Sequence, residues 1–505
     1  MRSTPLARLL VVSLAVLAAT GPLLLTGQTS QAARSASKDA FGVPKWTDSI
    51  GSAVAYSSPT YATVDGVTAV VAAGLGGRVY AVNAATGKAL TGWAGGRGAI
   101  MYPGEAPSAI ESSPTVAYLS GPTKPPSIIV GVGSQSVPCQ SGGVIAFNAN
   151  GSTRFVFHTK ATFQQWGGKC STVHDNSVFS TVAVGPVVKG QEDIVFGSYD
   201  HYMYALSPSG KVLPGFPIYR ADSIWSSPAL VDYTHTGVDD IIEGGDSSGW
   251  GGPNDGPACH GGWIDDYRDE EGSARLIWEH CVGQTVWSSP AIGVITSHST
   301  RFAVVVGTSW ATEFSSNPAT DELFAFYANG GQPIHGWPVK TKGPSFGSPV
   351  IAKLTPTSNP VVISTSCAAC SSGPAVVAEW SGTGHQLWST WVTPHFEMQA
   401  SPVVANVVGG VDQNVLVGAA TGLSILNGAT GKLATSTPLE DGCSMFNSPV
   451  VFKDVSSPSR WELALSCNKL GSAHLVAYNL PAAPKQTPSW PQWRGDSAHD
   501  GFPSA

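Results

Sequence analysis

The chain has 505 residues, with 34 Asp and Glu against 27 Lys and Arg, for a formal net charge of −7. An acidic surface does not neutralise phosphates, so nucleic acid is excluded as a partner. Only 12% of residues are charged, and 58 Gly with 37 Pro point to many short strands joined by tight turns.

The first 33 residues read as a secretory leader. Arg2 and Arg8 make a basic start, residues 9–25 are apolar, and cleavage is expected after Ala32 or Ala33. An uncleaved anchor is the alternative, disfavoured by Gly21 and Pro22 inside the apolar stretch. No later segment is long and apolar enough to span a bilayer, so a secreted protein without a membrane span is expected. Residues 34–42 read as a short linker.

From there a Ser-Pro dipeptide returns inside successive apolar runs. It stands at Ser58-Pro59, Ser113-Pro114, Ser227-Pro228, Ser289-Pro290, Ser348-Pro349, Ser401-Pro402 and Ser448-Pro449, and Ser180-Thr181 fills the widest gap. Eight units of about 47 to 67 residues follow, the signature of a repeat architecture. In the first unit, residues 57–63, 67–73 and 78–83 read as strands, then comes a turn at 84–88 and a fourth strand ending near Trp93. The third unit repeats this at 193–197 and 202–206, and the sixth at 361–365 and 375–380. Apolar runs of this length bounded by Gly turns are strands rather than helices.

The expected fold is all-β: a single eight-bladed β-propeller over residues 43–480, built of four-stranded antiparallel blades. Residues 43–50 form a spare strand before the first Ser-Pro, whereas the eighth unit lacks a fourth strand. Pairing the two around Trp46 closes the ring and removes the open sheet edges. Residues 481–505 are left as a Pro-rich tail carrying Trp490-Pro491-Gln492-Trp493-Arg494-Gly495-Asp496.

The Ser-Ser-Pro starts and the turn Asn83-Ala84-Ala85-Thr86-Gly87-Lys88 resemble the PQQ-like (quinoprotein alcohol dehydrogenase-like) propeller repeats. In that family a Trp follows Gly-Lys and braces the next blade; here Trp93 stands two residues late. Partial copies occur at Gly210-Lys211, at Thr430-Gly431-Lys432 and at Gly384 with Trp388. Gly215-Phe216-Pro217, Gly336-Trp337-Pro338 and the tail motif are similar to FG-GAP repeats. The PQQ enzymes hold their quinone against a disulfide of adjacent cysteines and a calcium site. The chain has no adjacent Cys pair, so no cofactor and no metal are expected. Asp232 to Asp240 resembles the FG-GAP calcium loop, but Thr234 and Thr236 replace its middle carboxylates, too little charge for tight binding.

Eight cysteines in a secreted chain should be paired. Cys139, Cys259, Cys367, Cys370 and Cys467 follow second strands, and Cys170, Cys281 and Cys443 precede first strands; both loop types emerge on one face. The expected bridges are 139–170, 259–281, 367–370 and 443–467. A redox or metal role for Cys367 and Cys370 is the alternative.

The same face carries the insertions 246–263 and 309–321, which bring Trp250, Trp263 and Trp310. Just before the Ser-Pro starts lie Tyr56, Phe179, Trp225, Trp287, Phe346 and Phe446, placed to form an aromatic collar at the mouth of the central channel. Such rings stack on sugars or grip peptide side chains; the competing reading is that they only wedge blades together. No catalytic residue is identified, and the histidines lack metal-ligand spacing. Two classes stay open. The first is a non-catalytic, monomeric binding or scaffold propeller with a carbohydrate or protein ligand outside the cell. The second is an extracellular enzyme, quinoprotein-like or polysaccharide-active, using carboxylates such as Glu105, Asp265 or Glu313. Arg494-Gly495-Asp496 also matches the integrin-binding tripeptide, though the tail motif accounts for it better.

Overall fold

The computed structural model describes residues 42–502 except 135–136, 138–139, 161–175, 221, 247–260, 297–298, 310–320, 368–373, 395–399, 454–459, 470 and 482–486. The expected leader lies outside the described residues. Every regular element described is a β-strand. They form eight antiparallel sheets, seven of four strands and one of three, arranged as an eight-bladed propeller. No helix of the described residues is long and apolar enough to cross a membrane.

Blade 1 shows why these segments become strands. Its inner strand is Thr60–Val64, followed by Val67–Gly74, Arg78–Asn83 and the short Arg97–Gly98. The second strand is buried at every position after Val67 because both sheet faces are covered by neighbouring blades. A two-sided cover demands a continuous apolar run rather than alternation. Burial then falls outward: in blade 2 the inner three strands are almost wholly buried, while the outer strand Thr153–His158 is half-exposed. Apolar clusters straddle the blade junctions, such as Val71, Ala81, Ile128 and Ile145 between blades 1 and 2.

Two expectations need correction. Trp93 does not end the fourth strand of blade 1 but precedes it, in the turn before Arg97. Blade 7 has only Val403–Ala405, Asn414–Ala419 and Gly422–Asn427. Where its fourth strand was expected, Leu433 and Leu439 make single bridges to Leu426 and Leu423. The stretch between them is polar and ends at Pro438, which has no N–H to give a ladder.

The ring closes at the expected place. Pro44–Ser49 pairs antiparallel with Ser472–Asn479 of blade 8, Trp46 opposite Ala477 and Ser49 opposite His474. Lys45 forms an ion pair with the buried Glu462 on the second strand of that blade. The Trp46 indole then reaches across the seam, donating from Nε1 to the Ala84 carbonyl of blade 1 at 2.8 Å. The same bracing recurs at four more junctions: Trp93 to Ala149, Trp278 to Ala328, Trp337 to Gly382 and Trp388 to Gly428. The ring of Trp46 lies flat on Gly87, where φ is +71° and an added Cβ would stand 2.8 Å from the indole. Glycine is required there twice over, by backbone and by contact.

The repeated Ser-Pro has a direct physical cause. The N–H of Ser58 donates to Ser113 Oγ of the next blade at 2.9 Å, and the pattern runs on around the ring. Ser113 donates to Thr181, Thr181 to Ser227, Ser227 to Ser289, Ser289 to Ser348 and Ser348 to Ser401. Ser448 donates its N–H to Ser58 at 2.9 Å and its hydroxyl to the Ser401 carbonyl at 2.8 Å, completing the circle. Thr181, rather than Ser180, therefore holds the serine place in blade 3. Proline follows because the inner strand is a sheet edge, where a missing N–H leaves no orphan donor.

The remaining inner-edge donors go to the C-terminal segment. Val404, Val451, Val116, Val184, Leu230 and Ile292 donate their N–H groups to the carbonyls of Trp490, Pro491, Ser497, Ala498, Asp500 and Gly501. Tyr61 N–H donates to the Gln492 side chain at 3.0 Å. All seven stand three residues after the serine position of their blades. The segment thus fills one end of the channel and satisfies the backbone of seven blades, the accounting that a buried edge demands.

Candidate functional site

The segment that fills the channel also makes it a cup. Trp493 is held by its Nε1, which donates to Thr181 Oγ1 at 2.9 Å. Above it lie the serine belt and then the collar. Together with Trp493, they line an open-mouthed cavity of about 100 Å³. Tyr56, Phe179, Trp225, Trp287, Phe346 and Phe446 all line it, one from each of six blades. Each stands two residues before its blade's belt residue, so one repeat position supplies the whole wall.

The rings touch one another as well as the cavity. Phe179 and Trp225 have centroids 5.0 Å apart, Trp225 and Trp287 stack at 4.5 Å, and Trp287 and Phe346 stand 5.4 Å apart. Phe179 and Phe346 are buried, whereas Tyr56, Trp225, Trp287 and Phe446 are half-buried. The wedging and the lining readings therefore hold at once: the rings pack across junctions and still face the cup.

Two polar residues of the cup were missed by sequence reasoning. Glu111 takes the collar position in blade 2, is 2% exposed, and accepts from Ser134 Oγ at 2.7 Å. Asn447 stands one residue before Ser448, is 1% exposed, and neither of its amide atoms has a protein partner. Superposing the repeats on the belt serine would have found Glu111, because the position is aromatic in six blades.

Other expected positions lie elsewhere. Trp263 does not line the cup; it is 3% exposed on blade 4, with the Arg220 guanidinium 3.9 Å above its ring. Asp265 is bound to Arg220 at 2.5 Å, and burial lifts its carboxyl to about 7 despite that cation. Arg220, at the end of blade 3, also donates to Tyr267 and pairs with Glu279 of blade 4, so this group is an ion network that ties the two blades together. Glu105 accepts from Ser141 Oγ. Among the described residues lining the cup, Glu111 is the one carboxylate, so no acid pair faces it. Trp250, Trp310, Glu313 and most of both insertions lie outside the described residues.

The loop at Asp232 is closed on itself. Its carboxylate accepts from the Thr236 and Gly237 amides and from the Thr234 hydroxyl, and these bonds hold its pKa below the usual value against burial. No group of three or more metal-ligating side chains occurs among the described residues. Arg494 is 2% exposed and donates to the carbonyls of Pro228, Pro290 and His499, which withdraws the Arg-Gly-Asp tripeptide from docking. Cys443 and Cys467 form a disulfide with Cα atoms 5.7 Å apart, as expected. Cys281 and Cys367 are disulfide-bonded too, and Cys139, Cys170, Cys259 and Cys370 lie outside the described residues.

No family model matches the chain, and no curated protein does. Among solved structures it is similar to the exotype rhamnogalacturonan lyase YesX, at 11% identity and a TM-score of 0.55, covering 89% of this chain and 77% of that one. It is similar to Saccharomyces cerevisiae Sqt1 at 10% identity and a TM-score of 0.51, covering 86% and 100%. BamB from Moraxella catarrhalis is matched at 13% identity and a TM-score of 0.45, covering 86% and 98%. At these identities the likeness shows the propeller fold alone.

Proposed function

We propose that the chain is a secreted, non-catalytic propeller that binds a carbohydrate or protein ligand in the collar cup. The observation that carries this reading is the convergence of six aromatic side chains, from six blades, on one cavity with a floor of its own. Aromatic rings on a rigid frame contribute large contact area at low entropic cost. Of the carboxylates weighed for catalysis, Asp265 is bound into the scaffold by Arg220, the exposed Glu105 accepts from Ser141, and Glu313 lies outside the described residues. A disulfide suits an oxidising compartment outside the cytosol, in keeping with the leader read from the sequence. The tryptophan braces between blades favour the PQQ-like resemblance over a generic propeller.

Replacing Trp225 and Trp287 by Ala tests the reading. Retention on a glycan array or on cell-envelope material should be lost while the melting temperature drops by only a few degrees. The opposite result, retained binding with a stability loss of about 3–5 kcal/mol as for a buried core ring, would make the collar a wedge only.

A further inference from the structure

The cup is two-sided, and its chemistry points to one ligand group. Phe179, Trp225, Trp287 and Phe346 come from blades 3 to 6 and form a continuous aromatic arc. Across from it, blades 8, 1 and 2 contribute Asn447, Tyr56 and Glu111. We infer that the cup receives an alkylammonium group, its methylenes against the aromatic arc and its N–H donors on Glu111 and Asn447. This deepens the binding role proposed above and rests on it.

Three features carry the inference. A carboxylate stands in a repeat position that six other blades fill with rings, 2% exposed yet lining the cavity. Among the described residues lining the cup none is Lys, Arg or His, and electron-rich rings attract cations within about 6 Å of their centroids. An anionic ligand would meet repulsion from both. Asn447 is buried with its carbonyl and its NH₂ unmatched by protein, an arrangement that folded proteins complete with water, an ion or a ligand. A sugar would call for a wall of free polar groups. Here the belt hydroxyls of Ser58, Ser113, Thr181, Ser227, Ser289, Ser348 and Ser401 each spend an acceptor site on a backbone N–H of the neighbouring blade, which ties their oxygens to the ring.

The test is a fluorescence titration of the purified chain at neutral pH, reading Trp225 and Trp287. The probes are n-butylamine and Nα-acetyl-lysine methylamide, set against the neutral 1-butanol and Nα-acetyl-norleucine methylamide. The ammonium probes should saturate at concentrations at least about tenfold below their neutral counterparts. Glu111→Gln should erase most of that difference and leave the neutral probes unchanged. Asn447→Ala, which removes no charge, provides the second variant if Glu111→Gln fails to fold, and should weaken both amines. Tighter binding of the blocked lysine marks a protein side chain as the source; equal binding marks a free amine. Equal binding of charged and neutral probes, or amine binding untouched by either variant, overturns the inference. Glycan binding that is lost in the Trp225 and Trp287 variants, with no response to amines, would overturn it while leaving the binding role intact. Collar variants that lose stability but keep their ligand would remove the cup as the binding site, and this inference with it.

Discussion

His499 shows how much a single side chain of the C-terminal segment is asked to hold. It is fully buried, with Nε2 near the Pro114 carbonyl at 3.0 Å and Thr60 Oγ1 at 3.1 Å, and Nδ1 2.8 Å from the Trp493 carbonyl. Burial holds its pKa down to about 4, with the nearby Arg494 charge adding to the effect. The unfolded chain would protonate it near 6.5, so the neutral form is the native one. Stability from this group is complete above pH 6.5 and is lost as pH falls from 6.5 towards 4. Asp193, Asp239 and Asp266 act in the opposite sense. Burial raises them to about 7, 7 and 8, so their contribution is lost as pH rises through those values. The comparison that isolates His499 is therefore wild type against His499→Gln in denaturant titrations at several pH values. Their stability difference should shrink by about 3 kcal/mol between pH 6.5 and 4. A difference that stays flat over that range would show that the ring's protonation is not resisted by the fold.

At the scale of elements, the strand Pro44–Ser49 has the clearest role. It supplies the outer ladder of blade 8, an ion pair to the buried Glu462 and the indole brace onto blade 1. Deleting residues 34–50 removes all three, leaves the edge of Ser472–Asn479 open and strands the Glu462 carboxylate. A loss of several kcal/mol is expected, with a drop in the chemical-denaturation midpoint and a tendency to associate through the exposed edge. An unchanged midpoint would mean the ring is held by the serine belt and the C-terminal segment alone. The closing strand was legible in the sequence because a spare strand stands before unit one while unit eight lacks its fourth. The three-stranded blade 7 was not, since a polar stretch can follow a blade's edge with single bridges as readily as it can form a strand.

Over the whole molecule, the described bridge ties Cys443, in the segment leading into blade 8, to Cys467 on the second strand of that blade. Non-reducing peptide mapping should recover 443–467, which the structure contains, and the proposed 139–170, 259–281 and 367–370. Each longer bridge would restrict the unfolded chain by about 3 kcal/mol. A free thiol at Cys367 or Cys370 would restore the metal or redox alternative for that pair.

The sequence by itself determined the blade count, the ring closure and the collar, because each is written as a repeat locked to the Ser-Pro position. Val67–Gly74 must be apolar throughout to sit between two sheets, and the aromatic residue two places before the serine must face the axis in every blade that has one. The tertiary structure alone decided what the repeats enclose. A tail of Trp490, Trp493 and Arg494 carries no periodicity, so nothing local announces that it turns into the channel, takes the inner-edge N–H groups of seven blades and provides a floor. Asn447 became a site residue only when blades 8 and 1, 390 positions apart at Ser448 and Ser58, were brought side by side. Backbone hydrogen bonding across closed ring junctions is a long-range condition, and a chain read in order does not display it.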